Sequence, residues 1–372
     1  MRIGVPREIK NHEYRVGLVP SSVLELTQRG HEVWIERGAG VGAGIQDGDY
    51  EAVGARLVET AAEVFANAEM IVKVKEPLAV ERAMLRPGQL LFTYLHLAPD
   101  LAQTRELVAS GAVCIAYETV SAANGSLPLL TPMSEVAGRL APQVGAHALE
   151  KAQGGRGVLL GGVPGVPGAD VVVLGGGVSG SHAAAIAHGM GARVTVVDRS
   201  SDALKRLSVQ FGGAVATVFS TRSAIGELVR RADLLIGTVL VPGAAAPKLV
   251  TRDMVKTMKP GAVIVDVAID QGGCVETSRP TTHEDPTFVD EGVVHYCVTN
   301  MPGAVARTST FALNNVTLPF VLALADKGWK QALRDDAHLR DGLNVAHGQV
   351  TLAPVAQAHG LPLVPPEQLL GS

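Results

Sequence analysis

A glycine-rich loop at residues 175–180 carries the clearest chemical signal in the sequence. Gly175, Gly177 and Gly180 have the G-x-G-x-x-G spacing, after the apolar run 171–174 and before a run of small residues typical of a helix. The first glycine permits a tight turn, the second lets the backbone approach a pyrophosphate, and the third lets helix and strand pack closely. The start of a helix also favours anionic phosphate. The pattern predicts a dinucleotide-binding loop; a strand–helix turn without a ligand is the alternative.

An acidic residue follows at the end of the next predicted strand. Asp198 lies 18 residues after Gly180, close to the spacing of the ribose-binding acid in dinucleotide folds. A carboxylate there accepts hydrogen bonds from the adenosine ribose hydroxyls and repels a 2′-phosphate. The sequence therefore predicts NAD rather than NADP, although Arg199 follows directly and softens that discrimination.

Three polar residues follow predicted strands in the first third of the chain. Arg15 lies in the loop after the first strand, Lys75 ends the run MIVKVK, and His96 ends LLFTYLH. The carboxyl ends of parallel strands share one edge of a sheet, where ligands bind. Arginine holds a carboxylate through two parallel hydrogen bonds, lysine polarises a carbonyl oxygen, and histidine transfers protons near neutral pH. Together they predict a site for a small carboxylate.

Each of these residues also has an ordinary structural interpretation. Arg15 lies among charged residues, as a solvated loop arginine would; Lys75, like Lys73, alternates with valine, as a charge at a strand edge would. His96 lies between two leucines, as a core histidine would. Their convergence favours the functional interpretation.

In the second half, Asp270 follows a strand and is predicted to lie near the nicotinamide, with a structural aspartate that caps the turn as the alternative.

The elements that must position these residues begin with an α/β series. Apolar runs of strand length alternate with helical patterns, which is typical of βαβ units and a mostly parallel sheet. The predicted strands are Arg2–Val5, His31–Glu36, Met70–Lys75, Leu90–His96 and Ala112–Tyr117. The run Pro20–Gly30 predicts a helix with a serine N-cap and a terminal glycine.

A second α/β series begins near Asp170. Its predicted elements after the first strand are a helix at Ser181–Met190 and strands at Arg193–Asp198, Ala214–Phe219, Leu234–Val239, Ala262–Ala268 and Val293–Val298. Long helical patterns at Ser134–Gln153 and Ser309–Lys327 flank this series and predict two interdomain helices. The expected fold is α/β, with two doubly wound Rossmann-type domains: a discontinuous substrate domain, 1–130 plus 310–372, and an NAD-binding domain, 131–309.

Composition narrows the class of protein. The chain has 372 residues, a net charge of −4 and only 18% charged against 47% hydrophobic residues, which is typical of a compact globular protein and argues against a dedicated nucleic-acid binder. The cysteines, at positions 114, 274 and 297, lack C-x-x-C spacing and are predicted to be buried and reduced, with a catalytic or metal role as the alternative. Without a recognisable signal peptide or an apolar span, the expected location is cytoplasmic.

Nearly the whole chain resembles alanine dehydrogenase, in the family that also includes the soluble NAD-binding part of proton-translocating transhydrogenase. The resemblance is carried by PREIKNHEYRVGLVP, IVKVKEP, LFTYLHLA, AYETV, PLLTPMSEVAGRLA, GGVPGV, GGGVSG, GTVLVPGAAAPKLV, MKPGAVIVDVAIDQGG and YCVTNMPGAVARTSTFALNN. Motifs of this length and number make a chance likeness negligible.

The resemblance implies roles for individual residues. Arg15 and Lys75 would bind the carboxylate and carbonyl side of the substrate, His96 would be the acid/base, and Asp270 would be a second proton-handling group. Beyond the glycine loop with its Ser179, and Asp198, the implied contacts with NAD are Ser134, Val178, Ser220, Val239, Leu240, Val267, Ala268, Ile269, Asp270, Arg279, Val298, Thr299, Asn300 and Met301. A homohexamer is implied as well.

Two departures from the family pattern bear on ligands. Position 203 is alanine where lysine or arginine is common, so Lys205 or Arg199 becomes the candidate for that cofactor contact. Ala323 and Lys327 occupy the positions at which some relatives bind a metal through an acid and a histidine. No metal site is therefore predicted.

The predicted activity is the reversible oxidation of L-alanine to pyruvate and ammonium with NAD. Three alternatives stay open: a transhydrogenase-like subunit that passes hydride between nucleotides, an NAD-binding sensor without turnover, and, more distantly, a lysine-forming opine dehydrogenase. Activity toward glycine, serine or glyoxylate and the physiological direction of the reaction are also open at this point.

Overall fold

The structure, a computed structural model, describes residues 1–239 and 246–371. Within them the strands are β1 Arg2–Val5, β2 Glu32–Glu36, β3 Arg56–Val58, β4 Met70–Val72, β5 Leu90–Thr93, β6 Val113–Ala116, β7 Asp170–Leu174, β8 Arg193–Asp198, β9 Ala216–Phe219, β10 Leu234–Gly237, β11 Val263–Asp266, β12 Thr287–Asp290, β13 Val293–Tyr296, β14 Leu343–Ala346 and β15 Gln349–Val350.

The α-helices of the same residues alternate with these strands as far as β11. They are α1 Pro20–Gln28, α2 Asp47–Glu51, α3 Ala61–Asn67, α4 Ala79–Arg82, α5 Leu101–Ser110, α6 Thr131–Ala148, α7 Val178–Gly189, α8 Ser201–Phe211, α9 Arg222–Arg231, α10 Arg252–Val255, α11 Ala306–Lys327, α12 Trp329–Asp335, α13 Ala337–Arg340, α14 Ala353–His359 and α15 Pro366–Leu370. The chain divides into two compact units: unit 1 is Met1–Met133 with Val305–Ser372, and unit 2 is Ser134–Ala304.

Unit 1 contains an eight-stranded sheet in the order β15-β14-β6-β5-β4-β1-β2-β3. Strands β1 to β6 are parallel, whereas β14 runs antiparallel to β6. Apolar side chains are buried on both faces, Val72 and Phe92 in one cluster and Ile71 and Leu91 in the other. A sheet covered on both faces needs continuous apolar strands, which explains why β4 and β5 lack alternation in the sequence.

Unit 2 contains a seven-stranded sheet in the order β12-β13-β11-β10-β7-β8-β9, in which only β12 is antiparallel. Starting from β7 and leaving out β12, this is the 3-2-1-4-5-6 arrangement of doubly wound dinucleotide-binding sheets, whose ligands bind beyond the carboxyl ends of the strands. The predicted α/β class with two mostly parallel sheets is confirmed.

Local predictions were wrong at two helix starts. The N-cap of α1 is Val19, with Pro20 at the first helical position and no side-chain cap; the predicted serine cap is absent because Ser22 lies inside the helix and its hydroxyl donates to Asn314 Oδ1 at 3.2 Å. Helix α7 begins at Val178 rather than Ser181, since Gly177 already serves as its N-cap.

One segment of the described chain, Met301–Lys327, is long and apolar enough to cross a membrane by length and composition alone, with a mean hydropathy of 1.3. Within it, α11 buries Leu313, Val321 and Leu324 in the core of unit 1. Asn314 is also buried there and accepts a hydrogen bond from the backbone of Val19 at 2.9 Å. The apolar composition of α11 thus serves the packing of unit 1.

Candidate active site

The glycine loop of unit 2 is shaped by two different steric demands. Gly175 has a φ of +99°, and a Cβ atom on Gly180 would lie 1.8 Å from the Gly175 carbonyl oxygen. A Cβ atom on Gly177 would meet nothing within 4 Å. Gly180 is therefore required by the fold itself, whereas the space beside Gly177 is open and leads to the N-terminus of α7. The loop fits a pyrophosphate, because backbone N–H groups and open space coincide there.

Asp198, at the end of β8, is hydrogen-bonded to the backbone of this loop. Its Oδ2 accepts the N–H of Gly176 at 2.6 Å and its Oδ1 accepts the N–H of Ser200 at 2.7 Å. Lys205 and Arg199 remain the candidates for the cofactor contact that a basic residue at 203 makes in the family. A basic residue that the sequence analysis did not single out, Arg206, donates from Nη2 to the carbonyl oxygen of Gly176 at 2.6 Å. Its place one turn after position 203 on α8 was the available signal.

The other predicted cofactor residues of unit 2 lie where its strands end. Ser220 follows β9 and donates its N–H to the carbonyl oxygen of Asp198 at 2.9 Å, and Ser179 on α7 donates from Oγ to the carbonyl oxygen of Ser134 at 2.9 Å. Val239 follows β10, the turn Val267–Gln271 follows β11, and residues 298–301 follow β13. The residues that follow strands share the carboxyl edge of one sheet, and Ser134 on α6 is joined to that edge through Ser179. The predicted contact Leu240 lies outside the described residues.

Arg279 is the remaining predicted cofactor residue, and it rests on an aromatic ring. Its guanidinium lies 4.0 Å from the ring centroid of Phe288, which in turn stacks on His295. His295 is buried, with Nδ1 2.9 Å from the carbonyl oxygen of Val293 and Nε2 2.7 Å from the hydroxyl of Thr277. Burial lowers the pKa of His295. The positively charged group of the Arg279–Phe288–His295 stack is therefore the Arg279 guanidinium.

A buried carboxylate organises the turn that carries Asp270. Asp266 ends β11 and accepts the N–H of Ala268 at 3.2 Å, the N–H of Cys274 at 3.0 Å and the hydroxyl of Ser278 at 2.7 Å. Burial raises the pKa of Asp266 despite these bonds. Asp270 itself is exposed on the turn, so Asp266 supplies the structural contacts and leaves Asp270 open to solvent.

In unit 1, the predicted substrate residues follow three adjacent parallel strands. Strand β4 lies between β1 and β5, and Arg15, Lys75 and His96 follow β1, β4 and β5 respectively. The loop after β1 runs back across the end of β4, because a Cβ atom on Gly17 would lie 2.5 Å from the carbonyl oxygen of Val72. The structure thus brings the three residues to one edge of the sheet.

Arg15 is buried rather than solvated. It is 2% exposed, and Glu13 accepts from its Nε at 2.6 Å and from its Nη2 at 2.5 Å. Burial acts to lower the pKa of Arg15, but the Glu13 carboxylate outweighs it and the pKa is raised. Nη1 lies 3.1 Å from Met133 Sδ. The guanidinium is therefore permanently charged and rigidly held, with its Nε and Nη2 already bonded to Glu13.

Lys75 is held by a buried ion cluster that sequence analysis did not foresee. Lys73 is fully buried, with Nζ 3.1 Å from Glu8 Oε2 and 2.7 Å from Glu81 Oε1. The other Glu8 oxygen accepts the N–H groups of Val74 at 2.7 Å and Lys75 at 3.4 Å. Lys73 is therefore not a charge at a strand edge: it neutralises Glu8, whose other oxygen fixes the backbone at Lys75.

His96 is not a core histidine. Its side chain is 44% exposed, its φ is +50°, and its ring stacks parallel to Tyr94 at 5.8 Å between centroids. Tyr94 is buried and donates its hydroxyl to the carbonyl oxygen of Leu129 at 2.5 Å. The imidazole is thus accessible to solvent at this edge and rests on a fixed aromatic ring.

The three cysteines are buried and free, as predicted. Burial raises the pKa of Cys114 to about 12 and that of Cys297 to about 12, and burial followed by the nearby Asp266 carboxylate also raises the pKa of Cys274. A thiol that stays protonated is a poor nucleophile and a poor metal ligand, so these residues act as small apolar side chains.

Comparison with known proteins places this architecture in a family. A profile described as "Alanine dehydrogenase/PNT, N-terminal domain" matches residues 4–137, and one described as "Alanine dehydrogenase/PNT, C-terminal domain" matches residues 141–353. The chain belongs to the alanine dehydrogenase/PNT family. The alanine dehydrogenases of Halomonas elongata and Mycobacterium tuberculosis are 62% and 55% identical to it, each over 100% of both chains.

Solved structures of this family agree with that assignment. An L-alanine dehydrogenase superposes with a TM-score of 0.95 at 54% identity, covering 97% of this chain and 99% of its own. A transhydrogenase from Sinorhizobium meliloti superposes with a TM-score of 0.83 at 26% identity, covering 94% and 100%. The alanine dehydrogenase family is NAD-binding and its members are oxidoreductases, so NAD is the cofactor of this enzyme.

Proposed function

We propose that this enzyme catalyses the reversible oxidative deamination of L-alanine to pyruvate and ammonium. The observation that carries the proposal is the edge of the unit 1 sheet, where Arg15, Lys75 and His96 follow adjacent parallel strands. This set can bind a carboxylate, polarise an adjacent oxygen and transfer a proton, which is the chemistry that a 2-amino or 2-oxo acid requires.

Each residue has a distinct part in the proposed mechanism. Arg15 binds the substrate carboxylate and fixes its orientation, while Lys75 stabilises negative charge on the oxygen at C2. Bound NAD would supply the acceptor for the hydride that leaves Cα in the oxidative direction. His96 takes up the proton released from the water that adds at C2 and returns a proton to the departing amine. Asp270 is the second group proposed to handle protons.

The cofactor roles are proposed for the residues at the carboxyl edge of the unit 2 sheet. The glycine loop and the first turn of α7 would receive the pyrophosphate, and Asp198 would accept the ribose hydroxyls. Arg206, which contacts the same loop, extends the predicted set. The set also includes Ser134, Ser220, Arg279, the turn after β11 and residues 298–301.

The decisive experiment follows the loss of NADH absorbance with pyruvate, in the presence and absence of ammonium. Turnover that depends on ammonium is expected. Turnover without ammonium would indicate a 2-hydroxy-acid dehydrogenase and contradict the proposed role of Lys75. Tight NADH binding without any turnover would favour a sensor, and hydride exchange between two nucleotides without an amino acid would favour a transhydrogenase-like activity.

His96→Ala tests the acid/base assignment. We expect turnover to fall about 10²–10⁴-fold, the usual contribution of general acid–base catalysis, while the affinity for NADH stays the same. His188→Ala, which changes a histidine on α7 of unit 2, is the matched control. Wild-type turnover of His96→Ala would remove His96 from the mechanism.

We also propose a homohexamer in the cytoplasm, on the strength of the family resemblance. Light scattering coupled to size-exclusion chromatography tests the assembly, because a hexamer of this 38.6 kDa chain is well separated from a dimer or trimer in mass. Cell fractionation against a periplasmic and a cytoplasmic marker tests the location.

A further inference from the structure

Glu118 is a carboxylate without a proposed role that forms hydrogen bonds with the backbone of Leu95 and His96. It lies on the turn Tyr117–Thr119 that follows β6, next to β5 in the sheet. One carboxylate oxygen accepts the N–H of His96 at 2.6 Å, and both oxygens lie 3.2 Å from the N–H of Leu95. The same carboxylate reaches the ring, with Oε1 3.8 Å from His96 Nδ1.

The backbone at His96 needs this support. A φ of +50° places a non-glycine residue in the left-handed region, which persists at functional sites only when the surroundings hold it there. Three further contacts hold the same segment: Gln103 donates to the carbonyl oxygen of Leu95 at 2.5 Å, while Thr104 and His359 bond the carbonyl oxygen of Leu97 at 3.2 and 2.8 Å.

Among these contacts, Glu118 alone also faces the imidazole. Gln103, Thr104 and His359 bond carbonyl oxygens of the neighbouring leucines, whereas Glu118 bonds the backbone of His96 and lies beside its ring nitrogen. The Glu118 side chain is 14% exposed, so its carboxylate is held in place with little competition from water. It therefore fixes the direction in which the His96 side chain leaves the backbone and places a carboxylate beside the ring, which also stacks on Tyr94.

We propose that Glu118 is a positioning residue for His96 in the proton transfers of this enzyme. The inference rests on the proposed function, because it takes His96 as the acid/base. Glu118 touches neither substrate nor cofactor in this scheme and acts through His96 alone. Its removal lowers kcat and leaves substrate and NADH binding almost unchanged.

The test is a double-mutant cycle between Glu118→Ala and His96→Ala, with Glu118→Gln as the conservative variant. Glu118→Ala is expected to lower kcat about 10²-fold, the usual effect of misplacing a catalytic group by about 1 Å. KM for pyruvate and Kd for NADH should change less than about 3-fold. Glu118→Gln keeps an oxygen acceptor for the backbone N–H groups and should recover most of kcat.

Thr119→Ala is the matched control on the same turn. Its hydroxyl bonds Ala116 and Asn344 and does not contact His96, so the variant perturbs the turn without touching the pair. Its kcat is expected to stay within about 3-fold of wild type, since a disturbed turn alone leaves His96 in place. A loss in Thr119→Ala as large as that in Glu118→Ala would overturn the proposal in favour of a general structural role for the turn.

The double variant separates the remaining outcomes. If Glu118 acts only through His96, the double variant has the kcat of His96→Ala within about 3-fold, because groups that act as a unit are not additive. The inference about Glu118 would be overturned, and the proposed function left standing, by either of two results. One is losses of kcat that add up in the double variant, and the other is wild-type kcat in Glu118→Ala while His96→Ala is impaired. Wild-type kcat in His96→Ala would overturn the proposed function with it. If Glu118→Ala does not fold, Glu118→Asp, which keeps the charge but withdraws the acceptor, takes its place in the cycle.

Discussion

Replacing the buried Lys73 with methionine should destabilise unit 1 strongly. Methionine fills nearly the volume of the lysine stem, so the change removes the ammonium with little loss of packing. Glu8 and Glu81 are 8% and 1% exposed, and each would then keep a buried negative charge without its cation. Breaking a buried pair by removing one partner costs about 3–5 kcal/mol, a large share of the stability of a typical domain, about 5–15 kcal/mol.

The loss should also depend on pH in a defined direction. Burial raises the pKa of Glu8, and Lys73 opposes that rise. Without Lys73 the pKa of Glu8 rises further, so the folded variant takes up a proton at a higher pH than the unfolded chain does. Its free energy of unfolding then increases as the pH falls. The pKa of Lys73 is raised. Its contribution to the free energy of unfolding of the wild type is therefore constant at every pH well below the ordinary pKa of lysine. The difference in free energy of unfolding between the wild type and Lys73→Met is expected to be largest near about pH 8 and smaller near about pH 5.

Tryptophan fluorescence during urea unfolding measures this effect in unit 1 specifically. The chain has two tryptophans, Trp34 and Trp329, and both lie in unit 1. Lys327→Met is the control, because its ion pair with Asp335 is 48% and 40% exposed and should contribute only about 0–1 kcal/mol.

Neutralising the stranded carboxylates supplies a second arm of the same experiment. Adding Glu8→Gln and Glu81→Gln to Lys73→Met should recover part of the loss, because no buried charge is then left unpaired and Glu8→Gln still offers an oxygen to the N–H of Val74. A deficit below about 1 kcal/mol, or one that does not change with pH, would refute the electrostatic account of this cluster.

Three further predictions concern unit 2 and the thiols. Gly180→Ala should prevent stable folding of unit 2, measured by circular dichroism, since its Cβ atom would lie 1.8 Å from a carbonyl oxygen. Gly177→Ala should fold normally yet bind NADH at least about 10-fold more weakly in a fluorescence titration. Equal NADH affinity of Gly177→Ala and the wild type would place the pyrophosphate elsewhere. Asp198→Ala should lower the ratio of kcat/KM for NAD to that for NADP at least about 10-fold, with the exposed Asp202→Ala unchanged; an unaltered ratio would exclude the ribose contact. The native enzyme should not react with a thiol-specific disulfide reagent at neutral pH, and the urea-unfolded chain should release three equivalents; rapid native reaction would contradict the burial.

The positions of the strands and the glycine loop were predictable because their signals are local. β1 and β8 have the bounds that the sequence predicts, and the other predicted strands differ by a few residues at their ends, whereas β3, β12, β14 and β15 were not predicted. A buried strand requires a continuous apolar run, and a loop at a strand–helix junction requires glycine at fixed spacing. Arg15, Lys75 and His96 were predicted in the same way, since each comes after a strand that the sequence indicates.

The partners of these residues were not predictable, because they come from distant parts of the chain. Glu8 is 65 residues from Lys73, and Glu118 is 22 residues from His96. A surface carboxylate and a buried one look alike in a single sequence, and only the register of the sheet decides which of them meet. The serine cap of α1 failed for a related reason: local propensity favours serine at a helix start, but the preceding proline had already fixed where α1 begins.

The discontinuity of unit 1 has a consequence for how the enzyme is made. On the ribosome, strands β1 to β6 emerge first, but β14 and α11, which cover the edge of β6 and part of the core, emerge only after all of unit 2. At a typical translation speed of about 5–20 residues per second, unit 1 waits on the order of ten seconds or more with an unpaired strand edge and exposed apolar surface. Nascent chains of this enzyme are therefore expected to be the aggregation-prone species, and slower synthesis of the inserted unit should lower the yield of soluble enzyme without changing the stability of the finished fold.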